Sequence, residues 1–435
     1  MMNKEQIIMR LTQCILPIEA ALASIDGLPE MFHRCFLNTV ETTLQEDPQG
    51  NPFLITGDIP AMWLRDSSEQ LYHYLRFAKD DPEIAQLVEG IIAKQAEQVT
   101  IDPYSNSFNI EANGRHFAQD IPEPSPYVWE RKYEVDSLCH VIWLASSYRK
   151  ITGSTAFMTD AFMKAMSIIV DLFTVEQNHE LASPYRFSRV GDYAFESLPR
   201  DGKGSPVAKT GMIWSGFRPS DDACQYGYLI PGNLFAAAML KEVAAFAKLK
   251  GSNDLAERAL KLSDEVSDGI ARYGTVEIEG FGRVYAYEVD GLGHALIMDD
   301  GNIPSLLSLP FIGVCDKQDP LYQSTRKMCL SEHNPYFYQG SAGAGIGSPH
   351  TPADHIWPIG LCVQALTSDS VDEQAYLLNR LLNTTAGTGF LHESFHKDDP
   401  TQFTRPWFAW ANSMFAELIL QLYEEGTLNE VLKRL

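Results

Sequence analysis

Positive charge is scarce in this chain. Thirty-four lysines and arginines stand against 57 aspartates and glutamates, a net charge of −23 over 435 residues. That excess repels phosphate backbones and anionic lipid surfaces, so neither nucleic acid nor a membrane is an expected partner. Cysteine is sparse too: residues 14, 35, 139, 224, 315, 329 and 362 are odd in number, widely scattered and without a Cys-x-x-Cys pair. This excludes a disulfide framework and a zinc ribbon and leaves most of them as small buried thiols. No run reaches the roughly 18 apolar residues of a membrane span; Ala236-Ala237-Ala238-Met239-Leu240 is stopped by Lys241-Glu242. The opening stretch has no uninterrupted apolar segment or small-residue cleavage site, and a cytoplasmic location is expected. A phosphate-cradling loop followed by Lys-Ser/Thr is missing, and Gly340-Ser341-Ala342-Gly343-Ala344-Gly345 follows no clear strand, so no nucleotide cofactor is expected. Without Gly-x-Ser-x-Gly there is no serine-nucleophile motif either.

What the chain has in abundance is helical periodicity. Apolar residues recur at helical spacing over 5–24, 31–45, 67–78, 83–98, 132–150, 157–175, 233–248, 254–272, 303–312, 354–367, 372–383 and 407–425, about a dozen helices. Strand-like pieces are few; Thr275-Val276-Glu277-Ile278 and Val284-Tyr285-Ala286-Tyr287, separated by glycines, read as a small hairpin. Between the helices lie long segments rich in Gly, Pro, Trp, Tyr and acids, too long for plain connectors and too aromatic for disorder. No linker or repeat divides the chain. The pattern therefore predicts one mainly α domain, residues 1–435, in which paired helices form a double ring of six inner and six outer helices and gather their loops at one end; a solenoid shares this periodicity.

Four clusters carry chemistry. Gly57-Asp58-Ile59-Pro60-Ala61-Met62-Trp63-Leu64-Arg65-Asp66-Ser67 delivers a ring, a cation and carboxylates just before a helix, a mixture that suits a sugar: an apolar face lies on Trp63 while Arg65 and Asp66 serve hydroxyls. The bland reading is a helix cap with a salt-bridge partner. Trp129-Glu130-Arg131-Lys132-Tyr133-Glu134-Val135-Asp136 is read as opening a helix, with 130 and 134 on one face and 132 and 136 on another, either a solvated face or a substrate clamp. Phe217-Arg218-Pro219-Ser220-Asp221-Asp222 sets two carboxylates beside apolar rings; one of them, shielded from water, would hold its proton to higher pH as a general acid must. Leu391-His392-Glu393-Ser394-Phe395-His396 contains His-Glu-x-x-His, the zinc-peptidase signature, which needs a helix. Gly387, Gly389 and Asp398-Asp399-Pro400 bound it too tightly for one, so a loop carboxylate, Glu393, is preferred; Glu417, the available third ligand, is expected on a solvated helix face. His350-Thr351-Pro352-Ala353-Asp354-His355 is a further candidate metal cluster or a structured loop.

At these clusters the sequence resembles glycoside hydrolase family 125, the metal-independent exo-α-1,6-mannosidases. The likeness extends through Asp102-Pro103-Tyr104-Ser105-Asn106-Ser107-Phe108-Asn109, Glu288-Val289-Asp290-Gly291-Leu292-Gly293, Met298-Asp299-Asp300 and Asn334-Pro335-Tyr336-Phe337-Tyr338. The resemblance implies an (α/α)6 barrel, α-mannoside oligosaccharides as ligands, release of terminal mannose with inversion, no metal or other cofactor, and no protein partner. It places the general acid in the 220–222 step, with Asp221 chosen over Asp222, and the general base on Glu393. Trp63, Arg65, Asp66, Glu134, Asp136, Arg218 and Asp222 would line the mannose pocket. The competing readings are a zinc peptidase using His392, Glu393 and His396, and a non-catalytic glycan-binding protein.

Overall fold

The computed structural model describes residues 3–191 and 196–435. Among them are twelve helices of nine or more residues: α1 (Lys4–Leu22), α2 (Leu28–Asn38), α3 (Leu64–Tyr72), α4 (Pro82–Ile101), α5 (Val135–Thr152), α6 (Asp160–Glu176), α7 (Ile230–Leu249), α8 (Asn253–Tyr273), α9 (Pro320–Cys329), α10 (Pro358–Leu366), α11 (Val371–Asn383) and α12 (Ala409–Glu424). Their starts follow from local chemistry. Asp81 accepts the amides of Glu83 and Ile84 ahead of Pro82, and Thr159, Asp319 and Ser370 cap α6, α9 and α11 in the same way.

Burial separates two kinds of helix. In α8 the buried residues, among them Leu255, Ala259, Leu262, Val266 and Ile270, form one stripe, as on a helix with one face to water. In α5 and α7 most residues are buried all round. The helix α7 is long and apolar enough to cross a membrane, with a mean hydropathy of 1.2, yet 72% of that stretch is buried inside the protein, which makes it a core helix. The buried helices pack in succession, α10 on α12, α12 on α3, α3 on α5 and α5 on α7, while α4, α8 and α11 lie against α5, α7 and α10.

Four expectations of local structure change. Residues 303–312 are mostly buried but run as bends and turns, because both Asp299 carboxylate oxygens take backbone amides, from Leu306 at 2.8 Å and Leu307 at 3.0 Å, and so replace helical acceptors. This segment still belongs to the core: Phe311 packs edge-on to Tyr72 of α3. The helix predicted from residue 31 ends at Asn38, and a wider π turn over Thr39–Thr43 leads into a strand. The stretch before α5 is a strand, Val128–Glu130, so Glu130 and Glu134 do not share a helix face. The hairpin of Thr275–Ile278 forms, paired with Gly282–Tyr285. Strand Phe337–Gln339 does precede the glycine-rich stretch, but it turns back onto strand Ala344–Ile346 with no helix behind it to hold a phosphate. The cysteines are free, with Cys14 and Cys315 half-buried and the other five buried.

Candidate active site

The segments that enter the buried helices all deliver side chains to one place. Met62–Trp63 pairs with Ser107–Phe108 and that strand with Val128–Glu130, fixing the entries to α3 and α5. Tyr228–Leu229, running into α7, is bound to Glu288–Val289. His355–Ile356, Ser394–His396 and Phe403–Thr404 form a third small sheet at the entries to α10 and α12. A cavity open to solvent lies where these entries meet. Trp63 lines it from the strand before α3 and Arg65 and Asp66 from α3 itself, Ser220 and Asp221 from the turn before α7, and His350 and Trp357 from the approach to α10; Glu393, Arg405 and Trp410 line it from the segments around α12. Asp221 and Glu393, 172 positions apart, thus face one pocket.

The floor of the site is a buried charge cluster. The helix α3 is polar by sequence, yet Arg65, Asp66, Ser67, Ser68, Glu69 and Gln70 are all buried. Arg65 Nη1 donates to Glu134 Oε2 at 2.7 Å and Asp136 Oδ2 at 3.2 Å, Nη2 donates to Asp221 Oδ1 at 3.4 Å, and Asp66 lies 3.7 Å from Nε. Asn106 Nδ2 lies 3.2 Å from Asp221 Oδ1 and 3.3 Å from Glu134 Oε1, tying the same carboxyls together. One guanidinium cannot neutralise four carboxylates, so protons are retained. Burial drives the Glu134 and Asp136 carboxyls up and brings Asp66 to about 6, and behind them Glu69 to about 8.

Asp221 goes the other way. Burial opposes its charge, but Lys132, a hydrogen bond from protonated Glu134, Arg65 and His350 outweigh that and hold it well below the usual carboxylate range. Of this pair it is therefore Glu134 that is pushed up and Asp221 that is held down, contrary to the expectation that shielding raises the carboxyl in the 221–222 step. The backbone singles out Asp221 as well, with φ at 67°, a left-handed conformation that Asp tolerates better than most residues. It lies in a tight loop in which the Arg218 amide donates to the Asp222 carbonyl and Asp221 to that of Arg218. The loop points the two acids apart: Asp222 is hydrogen-bonded to His350 Nδ1 at 3.1 Å and is not among the residues facing the cavity. Burial works against a charge on His350, yet the hydrogen bond and charge of Asp222, with Asp221 and Glu393, bring it up to about 9.

Glu393 stands beside a strand, not on a helix. His392 and His396 are therefore not one helical turn apart: His392 Nδ1 donates to the Arg405 carbonyl and the ring stacks 3.8 Å from the Phe403 ring, while His396 Nδ1 accepts the Asp398 amide. Glu417 is not solvated; it is buried and holds Arg76 at 2.6 Å with both oxygens. His355 is occupied by the Ala353 carbonyl. Among the described residues no three His, Cys, Asp or Glu side chains converge as a metal site.

Of the other residues singled out in the sequence, Trp63, Arg65 and Asp66 line the cavity, and Glu134 and Asp136 lie behind Arg65. Arg218 is turned away, buried against Glu288 at 2.5 Å. Sequence reasoning missed His350 and Arg405 as wall residues, and Asn106 and Lys132 as partners of the acids. His350 had carried a signal as part of a possible metal cluster, Lys132 as part of the 129–136 cluster and Asn106 within the 102–109 stretch of the resemblance, whereas Arg405 had none. An aromatic-walled pocket with facing carboxylates, set at the entries of a mainly helical fold, defines a glycoside hydrolase. Residues 26–420 match the family model of the metal-independent α-mannosidases (GH125), and the chain belongs to that family. It is similar to a Streptococcus pneumoniae metal-independent α-mannosidase solved as a non-productive complex with α-1,6-mannobiose: 44% identity, 95% of this chain and 98% of that one, TM-score 0.93. It is also 41% identical over 423 residues to the meiotically up-regulated gene 157 protein of Schizosaccharomyces pombe, covering 92% of this chain and 83% of that protein. A bacterial glucoamylase complexed with acarbose, at 14% identity and TM-score 0.57 over 93% of this chain and 57% of its own, shares the (α/α)6-type fold alone.

Proposed function

We propose that this α-mannosidase is exo-acting on α-1,6 linkages, releasing the non-reducing terminal mannose with inversion, with Asp221 as general acid and Glu393 as general base. The observation that carries this reading is that these two carboxyls, from distant segments, line one cavity whose inner end is filled by the Arg65 cluster. Such a closed end fits a chain terminus better than a chain interior. The linkage is supported by the α-1,6-mannobiose bound to the 44% identical relative.

In this mechanism the Asp221 carboxylic acid gives its proton to the glycosidic oxygen as the C1–O bond breaks. Glu393 takes a proton from water, whose oxygen bonds to C1 from the opposite face. The Asp221 side chain is 26% exposed; a sugar seated over it takes it out of water and favours the neutral form that a general acid needs. Asp222, engaged by His350, tunes this step. Trp63 and Trp410 wall the sugar, whose hydroxyls meet Arg65 and Asp66. We also propose that the enzyme meets its α-mannosides in the cytoplasm, a location that suits seven unpaired cysteines and that cell fractionation tests.

The decisive experiment is proton NMR of α-1,6-mannobiose hydrolysis. β-Mannose is expected as the first anomer; α-mannose first would overturn inversion, and binding without hydrolysis would make the protein a glycan-binding module. Asp221→Asn should abolish turnover of the disaccharide yet spare an aryl mannoside with a good leaving group, whereas Glu393→Gln should abolish both.

A further inference from the structure

The cavity wall holds one cation that the proposed mechanism does not use. Arg405 stands with φ at 51°, a left-handed conformation unusual for a side chain with a Cβ. The hairpin that carries it pairs Ser394 with Thr404 and Phe395 with Phe403, so Glu393 and Arg405 are the next residues to face each other just past the ladder's end. Arg405 Nε lies 3.1 Å from Glu393 Oε1, and Nη1 donates to Asp58 Oδ1 at 2.7 Å. Asp58 belongs to the loop before α3 and is half exposed. That loop sits tight against the same segment, since a Cβ on Gly57 would come within 3.0 Å of the Trp407 ring. The Arg405 carbonyl also engages the His392 ring, which fixes the residue preceding Glu393.

One guanidinium thus joins two lips of the mouth, its Nε in an ion pair with Oε1 of the acid facing the cavity and its Nη1 bonded to Asp58. We propose that Arg405 is a positioning residue for Glu393: it holds Oε1, leaving Oε2 free to align the attacking water, while Asp58 engages Nη1 and keeps the guanidinium from closing on the base as a two-pronged fork. A two-pronged arginine would occupy both oxygens and leave none for water. Asp58, Arg405 and Glu393 then act as one unit. This inference rests on Glu393 being the base.

The test compares Arg405→Met, Arg405→Lys, Asp58→Asn and the double variant Asp58→Asn/Arg405→Met on α-1,6-mannobiose, with thermal melts to confirm folding. A lost alignment lowers kcat by about 10- to 100-fold while KM stays within about threefold. Lysine, with one point charge, should recover part of kcat. Asp58→Asn should lower kcat when Arg405 is present and do nothing further when it is absent, a coupling that a merely structural role would not give. The inference is overturned if Arg405→Met raises KM with kcat intact, which would make Arg405 a substrate contact, if kcat is unchanged, or if the effects of the two sites simply add. Glu393→Gln separates the two levels: should it keep near-native activity, the base assignment fails whatever Arg405 does, whereas an inactive Glu393→Gln beside an unaffected Arg405→Met removes only the inference.

Discussion

Arg65 reaches Glu134 at 2.7 Å with no more than 3% of either side chain exposed. The bond is one spoke of a buried wheel, for the same guanidinium serves Asp136 and Asp221. Removing the hub strips Glu134 and Asp136 of the cation they share, and breaking a buried pair in this way costs about 3–5 kcal/mol. Arg65→Met should therefore lose stability of that order in urea unfolding, together with all activity. A loss under about 1 kcal/mol would mean that the cluster is held by its protons and not by Arg65.

The Asp222–His350 pair gives stability a direction with pH. The ordinary value of histidine is 6.5 and the folded protein brings His350 up to about 9, so folding favours the charged ring. Its contribution is fully present below pH 6.5 and is lost as pH rises through 9. His350→Asn should thus destabilise the protein most at pH 6, with the gap to the native chain closing by pH 10. A gap that stays constant across this range would show that the imidazole stabilises by packing alone.

Zinc chemistry at His392, Glu393 and His396 is open to a direct check. His392 is held by the Arg405 carbonyl and the Phe403 ring, and His396 by a backbone amide. Activity on α-1,6-mannobiose should survive dialysis against a strong chelator, and His396→Ala should retain most of it. Loss on chelation, restored by zinc, would overturn the glycosidase reading of this stretch.

Legibility in the sequence followed physical range. Helices such as α8, with one apolar stripe, announce themselves because their burial is periodic. The turns at 303–312 did not, since their departure from a helix depends on the Asp299 side chain, which only the structure reveals as the acceptor. The helix α9 was missed because its buried face is thin, Tyr322, Thr325, Met328 and Cys329, although Asp319-Pro320 is a sound start signal. At the site, residue types clustered in sequence and could be read as sugar chemistry. What could not be read was pairing across the chain: Asp222 with His350, Glu393 with Arg405, Glu417 with Arg76. Local spacing carries no information about partners 128, 12 or 341 positions away unless a strand register links them.

Trp63 offers the last test. It is 5% exposed and packs with Ala61 and Trp129 in a small apolar cluster apart from the main core, so its seat is rigid while part of it still reaches the cavity. Trp63→Phe keeps the ring face and loses the donor; Trp63→Leu loses both. An aromatic contact is worth about 0.5–1.5 kcal/mol beyond area, so Trp63→Leu should raise KM by about 2- to 12-fold more than Trp63→Phe does. If the two variants behave alike, the ring face does not meet the sugar, and Trp63 supports the pocket only from behind.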